Sequence, residues 1–233
     1  SSFVNSLKAT SLFVLISVPL KLAMALFIAI VLNKKLRGMH LYRTVIYFPS
    51  LIGSSVAIAI LWNNVFGING LINQLLSLFG IEGKNWISLP DTALGSLILL
   101  AVWQFGSSMV IFLAGLKQIP GEYYEAAAVD GASKLRTFVK ETLPLLSPII
   151  LFNLVLQTIG SFQMFTQAFI ITKGGPVEST YVYALYLFDK AFAHFQMGYA
   201  SALAWILLVL IALVTVFIFA TSRAWVHYET EGG

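Results

Sequence analysis

An all-α protein built into a lipid bilayer is the fold class this sequence predicts, and three observations carry it. Of its 233 residues 58% are hydrophobic and only 10% charged, too little polar surface to clothe a domain in water. Five apolar runs reach the ~20 residues a helix needs to cross the hydrocarbon core. The basic residues gather in alternate loops between those runs, the pattern that orients a multi-pass protein.

Taken in order, the first run spans Ala9 to Leu32 and carries Pro19 and Lys21. A proline inside a helix frees carbonyls and favours a kink. A lysine in the middle of a span is costly against lipid and is expected to face protein or water. Packing or a helix-end contact and a role in an anionic-solute path both fit Lys21. The second run covers Thr44 to Phe66. After it Gly70 to Leu78 places Leu71, Leu75 and Leu78 on one helical face, a short helix for the membrane surface, with Trp86 at the interface. The third run is Thr92 to Leu116.

Between the third and fourth runs, residues 117–144 form a polar, helix-prone block. Ala126 to Val129 favour a helix, Gly131 ends it, and Ser133 suits the cap of a second helix whose apolar positions are Leu135, Phe138 and Val139. Two short helices joined at a glycine make a compact knob. The fourth run, Leu145 to Thr172, leads to the turn signal Lys173-Gly174-Gly175-Pro176. The aromatic-rich stretch Ser179 to Phe195 within 173–197 reads as a re-entrant or interfacial helix. The fifth run is Gly198 to Thr221, where Gly198 with Ala202 and Ala200 with Ala204 form seams for helix packing.

Nine basic residues lie on one side: Lys34, Lys35, Arg37 and Arg43, then Lys117, Lys134, Arg136 and Lys140, then Arg223. Lys8, Lys84, Lys173 and Lys190 lie on the other. The richer side is expected to be cytoplasmic, which puts residues 117–144 and the C-terminus inside. The net charge of +4 is then loop charge, and nucleic acid is not an expected partner. The absence of cysteine excludes disulfides and thiolate metal sites. No phosphate-binding loop exists, since Gly83-Lys84 lacks the earlier glycine and the following hydroxyl. His40, His194 and His227 are scattered and no paired nucleophile and base stands out, so neither a metal site nor a catalytic site is expected.

The run Glu125-Ala126-Ala127-Ala128-Val129-Asp130-Gly131, followed by Leu143-Pro144, closely resembles the Glu-Ala-Ala loop of binding-protein-dependent ABC importer permeases. Arg43-Thr44 before Pro49, Gly70-Leu71-Ile72-Asn73, Ala114-Gly115-Leu116 before Ile119-Pro120, Gly174-Gly175-Pro176 and Gly198-Tyr199-Ala200-Ser201-Ala202 follow in the order of carbohydrate-importer permeases of the MalF type. The resemblance covers residues 5 to 222. It implies a single type I ABC importer transmembrane domain over residues 1–233, in a prokaryotic inner or cytoplasmic membrane. That family carries one more N-terminal membrane helix, so the resemblance also implies that five of its helices are in this chain and the first is missing.

By the same resemblance, Glu125, Ala126, Ala127, Asp130 and Gly131 form the coupling helix that sits in a groove of an ATPase subunit. ATP and Mg are bound there by the two ATPase subunits and no cofactor belongs to this chain. The further partners implied are a second, MalG-like permease, an external solute-binding protein and a sugar-type solute. Polar residues inside the spans supply candidates for the path. Gln157, Ser161 and Met164 are spaced to share one helical face, Gln104 and Ser108 another, beside Gln163, Gln167 and Phe165. Sugar contact and interhelical hydrogen bonding both account for them, and the resemblance to MalF-type permeases favours the former. A secondary carrier or channel is the alternative function; it predicts more intramembrane charge or inverted repeats.

Overall fold

The computed structural model describes residues 1–33, 39–53 and 55–227. Lys34, Lys35 and Arg37, three of the basic residues that orient the chain, lie outside the described residues. Among the described residues the regular structure is helical throughout.

Helix α1, Ser2–Leu32, begins well before the apolar run and continues unbroken through Pro19. It is the hub of the bundle, packing along α5 (Pro90–Trp103), α6 (Gly106–Gln118) and α9 (Leu143–Phe162). Phe13, Val18, Ala25 and Ala29 line its buried side. With lipid tails as apolar as leucine, such contacts hold by close packing more than by expulsion of water. Helix α11, Met197–Ser222, matches the fifth apolar run within a residue at each end and has mostly exposed side chains.

Three of the five expected spans are interrupted. The run Thr44 to Phe66 is not one helix: α2 (Met39–Ile52) and α3 (Val56–Phe66) are separate, and Ser55 caps α3 by accepting from the Ile58 amide at 3.4 Å. The run Thr92 to Leu116 divides into α5 and α6, with Gln104 at ψ 35° between them. The run Leu145 to Thr172 ends its α-helix at Phe162, and after a break at Gln163 to Phe165 it resumes as a turn that becomes π-helical over Ala168–Thr172. Unbroken apolar content is therefore no guide to unbroken helix here.

The ends of the bundle carry different furniture. At one, the loop end, the α1 N-terminus meets residues 173–182, and α4 (Leu71–Leu78) follows α3. Asn73, 7% exposed, pins this region: its amide donates to the carbonyls of Gly67, Ile68 and Lys84, at 3.2, 2.9 and 2.7 Å, and its oxygen accepts from Trp86 Nε1 at 2.8 Å. Leu71, Leu75 and Leu78 face out from α4, as expected of a surface helix. The expected helix from Ser179 is shorter: α10 starts at Tyr183 and passes at Asp189 into a π-helical turn ending at Ala193, because Val177 and Glu178, at φ 50° and 57°, hold the preceding segment in a turn.

At the other, the knob end, lie α7 (Gly121–Val129) and α8 (Lys134–Thr137), and a π-helical turn, Phe138–Thr142, runs straight into α9. The C-terminal segment folds back here, the His227 amide donating to Ser147 Oγ at 2.9 Å.

Candidate functional site: the helix breaks and the knob

The three interruptions meet. The Gly53 carbonyl, left free where α2 ends, accepts from Gln104 Nε2 at 2.8 Å and from Gln167 Nε2 at 3.4 Å. Glutamines from the third and fourth spans thus converge on one backbone oxygen of the second. Gly53 permits this approach, since a Cβ there would stand 2.5 Å from the Gln104 Cδ. Broken helices inside a bilayer are tolerated where the freed backbone is buried in protein or lines a polar cavity, and such breaks are where carriers place polar ligands.

The sequence-derived candidates fall differently about this cluster. Gln104 is in it, but at the break and not on one helical face with Ser108. Ser108 is fully buried on α6, and its hydroxyl has no partner among the described residues. Gln157 and Ser161 remain on α9, half-buried and one turn apart. Met164 does not continue their helical rhythm, because α9 has ended two residues earlier; it sits in the break, 9% exposed, within the apolar core. Gln163 beside it is exposed. Sequence reasoning missed Gly53, although Gly53-Ser54-Ser55 inside an apolar run was the available signal. It noted Gln167 without giving it a partner.

Lys21 is half-buried on α1 and has no ion pair or hydrogen bond among the described residues. One turn before it lies Ser17, whose buried hydroxyl is also unpartnered.

The knob is built by local backbone chemistry. Helix α7 ends in a paired C-cap: the Ala132 amide donates to the Ala127 carbonyl at 2.9 Å and the Gly131 amide to the Ala128 carbonyl at 3.1 Å. Gly131 sits at φ +69°, a left-handed conformation open to glycine without penalty. Ser133 then accepts from the Arg136 amide at 3.4 Å and starts α8. Glu125, Ala126, Asp130 and Gly131 face outward, whereas Ala127 is buried against its own chain. Val129 is 89% exposed and Leu135 73%, and Glu125 and Asp130 are exposed on the same knob. The outward position of Val129 was not legible in the sequence, where it read as part of the helix-forming run. A cavity of about 550 Å³ behind the knob, lined by Ile30, Leu116, Tyr124, Lys134 and Phe138 among others, joins it to the C-terminal ends of α1 and α6.

Comparison with known proteins adds three findings. The family model described as "Binding-protein-dependent transport system inner membrane component" matches residues 21–226. A probable ABC transporter permease protein, YesP, of Bacillus subtilis (strain 168) is 58% identical over 230 residues, covering 97% of this chain and 74% of that protein. The lactose transport system permease protein LacF of Rhizobium radiobacter is 33% identical over 228 residues (95% and 76%), and the trehalose/maltose transport system permease protein MalF of Thermococcus litoralis 32% over 216 (91% and 72%). A chain in the crystal structure of a bacterial ABC transporter that imports the acidic polysaccharide alginate superposes with a TM-score of 0.87 at 22% identity, over 96% of this chain and 80% of that one, a likeness of fold.

Proposed function

The chain belongs to the family of binding-protein-dependent transport system inner membrane components, and on that footing we propose that it is the permease subunit of an ATP-driven importer whose solute is a sugar, passed across the bilayer at the helix breaks. It is a multi-pass membrane protein with a permease's fold. The sugar reading is supported by the names of its relatives, which transport lactose and trehalose or maltose. The single observation that carries the site is the convergence of Gln104 and Gln167 on Gly53, which gathers amide groups inside apolar spans, where a polar solute needs them.

In this reading the knob docks on an ATPase subunit, which binds ATP and Mg and supplies the energy of hydrolysis; this chain supplies geometry. Val129 and Leu135 offer an apolar contact, and Glu125 and Asp130 meet basic groups at its rim. A push on α7 and α8 passes through the π-helical turn 138–142 into α9, whose far end is the break at Gln163. Two packings of these helices, biased from the knob, open the cluster to one face or the other. A second permease, two ATPase subunits and a solute-binding protein complete the assembly; the alginate transporter solved with its sugar-bound periplasmic protein supports the last of these.

The test is reconstitution of the complete complex in proteoliposomes. Sugar-loaded binding protein should stimulate ATP hydrolysis and drive uptake, and Gln157→Leu and Ser161→Leu should lower uptake more than they lower assembly with the partner permease. Variants that assemble poorly yet transport normally once assembled would make these residues interhelical contacts and move the path elsewhere.

A further inference from the structure

Two helices connect the breaks to the knob, and their interface changes character along its length. Helix α6 runs from the break at Gln104 towards the knob, and α9 returns from the knob to the break at Gln163, so the two pack antiparallel. Near the knob they interlock. The Ile149 side chain lies over Gly115, where an added Cβ would run into Ile149 Cδ1 and stand 2.9 Å from Leu146 Cδ1. The helical repeat gives the register from that fixed point. Ser108 is seven residues from Gly115 along α6, and Asn153 seven from Leu146 along α9. Seven residues are about two turns, or ~10 Å, and bring a side chain back to the face it started from. Ser108 and Asn153 therefore stand at one level of this interface, on the side of Gly115 towards the breaks. Gln104 and Gln157 follow one turn further on.

Both residues are 0% exposed, and Ser108 Oγ, Asn153 Nδ2 and Asn153 Oδ1 have no hydrogen-bonding partner among the described residues. Asn153 thus holds an amide in the core with donor and acceptor both unused, an expensive arrangement. The amides one turn away differ, since Gln104 is bonded to Gly53 and Gln157 is half-buried. A ligand for this place must fit a fully buried interface, accept from an amide, and donate to a carbonyl or a hydroxyl. Water does all three, and internal water takes about three bonds from buried polar groups the chain leaves unpaired. A metal ion would find neutral oxygens and no carboxylate on either helix. An anion would face the Asn153 carbonyl.

We propose that Asn153 and Ser108 form an internal water site of about one to two molecules, and that this hydrated stretch is a slip joint between α6 and α9. Water reaches it from the glutamines one turn above. A direct bond between the two side chains would fix the register of the helices; a water bridge exchanges partners as they shift. The interlocked stretch at Gly115 then moves with the knob as a unit, and the give lies beside Gln104 and Gln157, at the breaks. The water site is a property of this chain alone, whereas the slip joint rests on the importer reading and adds the place where the knob's movement becomes a change at the breaks.

The complete wild-type complex in nanodiscs is exposed to brief X-ray pulses, which turn water into hydroxyl radicals that oxidise the side chains beside it, and the products are read by mass spectrometry. Met109, next to Ser108 and 0% exposed, should be oxidised, as the exposed Met197 is. That oxidation should be lost in Asn153→Leu and kept in Asn153→Ser, which retains a hydroxyl and leaves room for water. Hydrolysis of ATP stimulated by binding protein, loaded from a panel of neutral and uronic-acid oligosaccharides, should fall about two- to tenfold in Asn153→Leu and in Ser108→Ala. The double variant should be no slower than the slower single, because both act through the same water. Oxidised Met197 with intact Met109 in the wild type would overturn the water site, and so would oxidation of Met109 that persists in Asn153→Leu. Losses that multiply in the double variant, or stimulated hydrolysis unchanged in all three, would overturn the slip joint. A wild-type complex that no loaded binding protein stimulates overturns the importer reading, and the slip joint with it. The oxidation of Met109, read without solute or nucleotide, still decides the water site.

Discussion

Gly53 is the residue on which the candidate site turns, and its two substitutable partners make the arrangement measurable. In Gly53→Ala the new methyl would displace the Gln104 amide, 2.5 Å away, and separate it from the carbonyl it caps. Losing a hydrogen bond at a buried carbonyl costs ~1–3 kcal/mol, so thermal unfolding of the purified complex should begin a few degrees lower in Gly53→Ala and in Gln104→Leu, with uptake falling further than stability does. Unchanged melting and uptake in both variants would remove the cluster from the path. At the loop end Glu178 gives a pH-dependent case. Ser2 Oγ donates to its carboxylate at 2.7 Å and Asn5 Nδ2 at 2.8 Å, and these bonds, Ser2 first, hold its carboxyl below the ordinary 4.5. Because the folded value is the lower one, the tether is complete above pH 4.5 and is lost as pH falls through that lowered value. A nitroxide at the exposed Val177 should gain mobility on acidification in the wild type and show little dependence on pH in Glu178→Gln. Equal pH responses in the two would refute the tether.

Helix ends were legible in the sequence where a chemical signal marks them, and illegible where the signal sat within an apolar run. Gly70, Ser133 and Gly131 mark their boundaries openly, and α4, α8 and the C-cap of α7 fall where those residues put them. The breaks at Gly53, Gln104 and Gln163 were passed over because a window long enough to detect a span averages them away. A lone glutamine among leucines reads as a polar face, yet Gln104 and Gln163 are each where an α-helix stops. The helical rhythm that joined Met164 to Ser161 failed for this reason. The knob yields the prediction proper to an element. Gly131→Val forces a β-branched residue to φ +69°, at a cost of ~1–2 kcal/mol in local strain, and no neighbouring atom lies within 4 Å of the new Cβ. The chain should therefore still insert and assemble, while solute-stimulated ATP hydrolysis falls severalfold. Gly131→Asn, tolerant of that conformation, should retain most of it, and Glu125→Lys should uncouple without loss of the protein from the membrane. Normal stimulation in both Gly131→Val and Glu125→Lys would mean that the docking surface is elsewhere.

At the scale of the molecule, the bundle's two ends separate the charges as the loops of the sequence do. Arg43, whose Nη2 donates to the Leu32 carbonyl at 3.1 Å, belongs with Lys134 and Arg136 at the knob end, whereas Lys8, Lys84, Lys173 and Lys190 belong to the loop end. Basic side chains are retained on the cytoplasmic side during insertion, so the knob end should face the cytoplasm, where an ATPase can reach it. The lack of native cysteine makes this testable with one thiol at a time. Ser133→Cys, at the turn between α7 and α8, should react with an impermeant maleimide only in inside-out vesicles. Val177→Cys, at a site 86% exposed at the opposite end, should react only in right-side-out cells or spheroplasts. The two sites must exchange together if the orientation is wrong, since α1, α5 to α6, α9 and α11 tie both ends to one rigid bundle. Reversed labelling would thus remove the knob from any cytoplasmic ATPase and, with it, the coupling mechanism, while leaving the geometry of the helix breaks untouched.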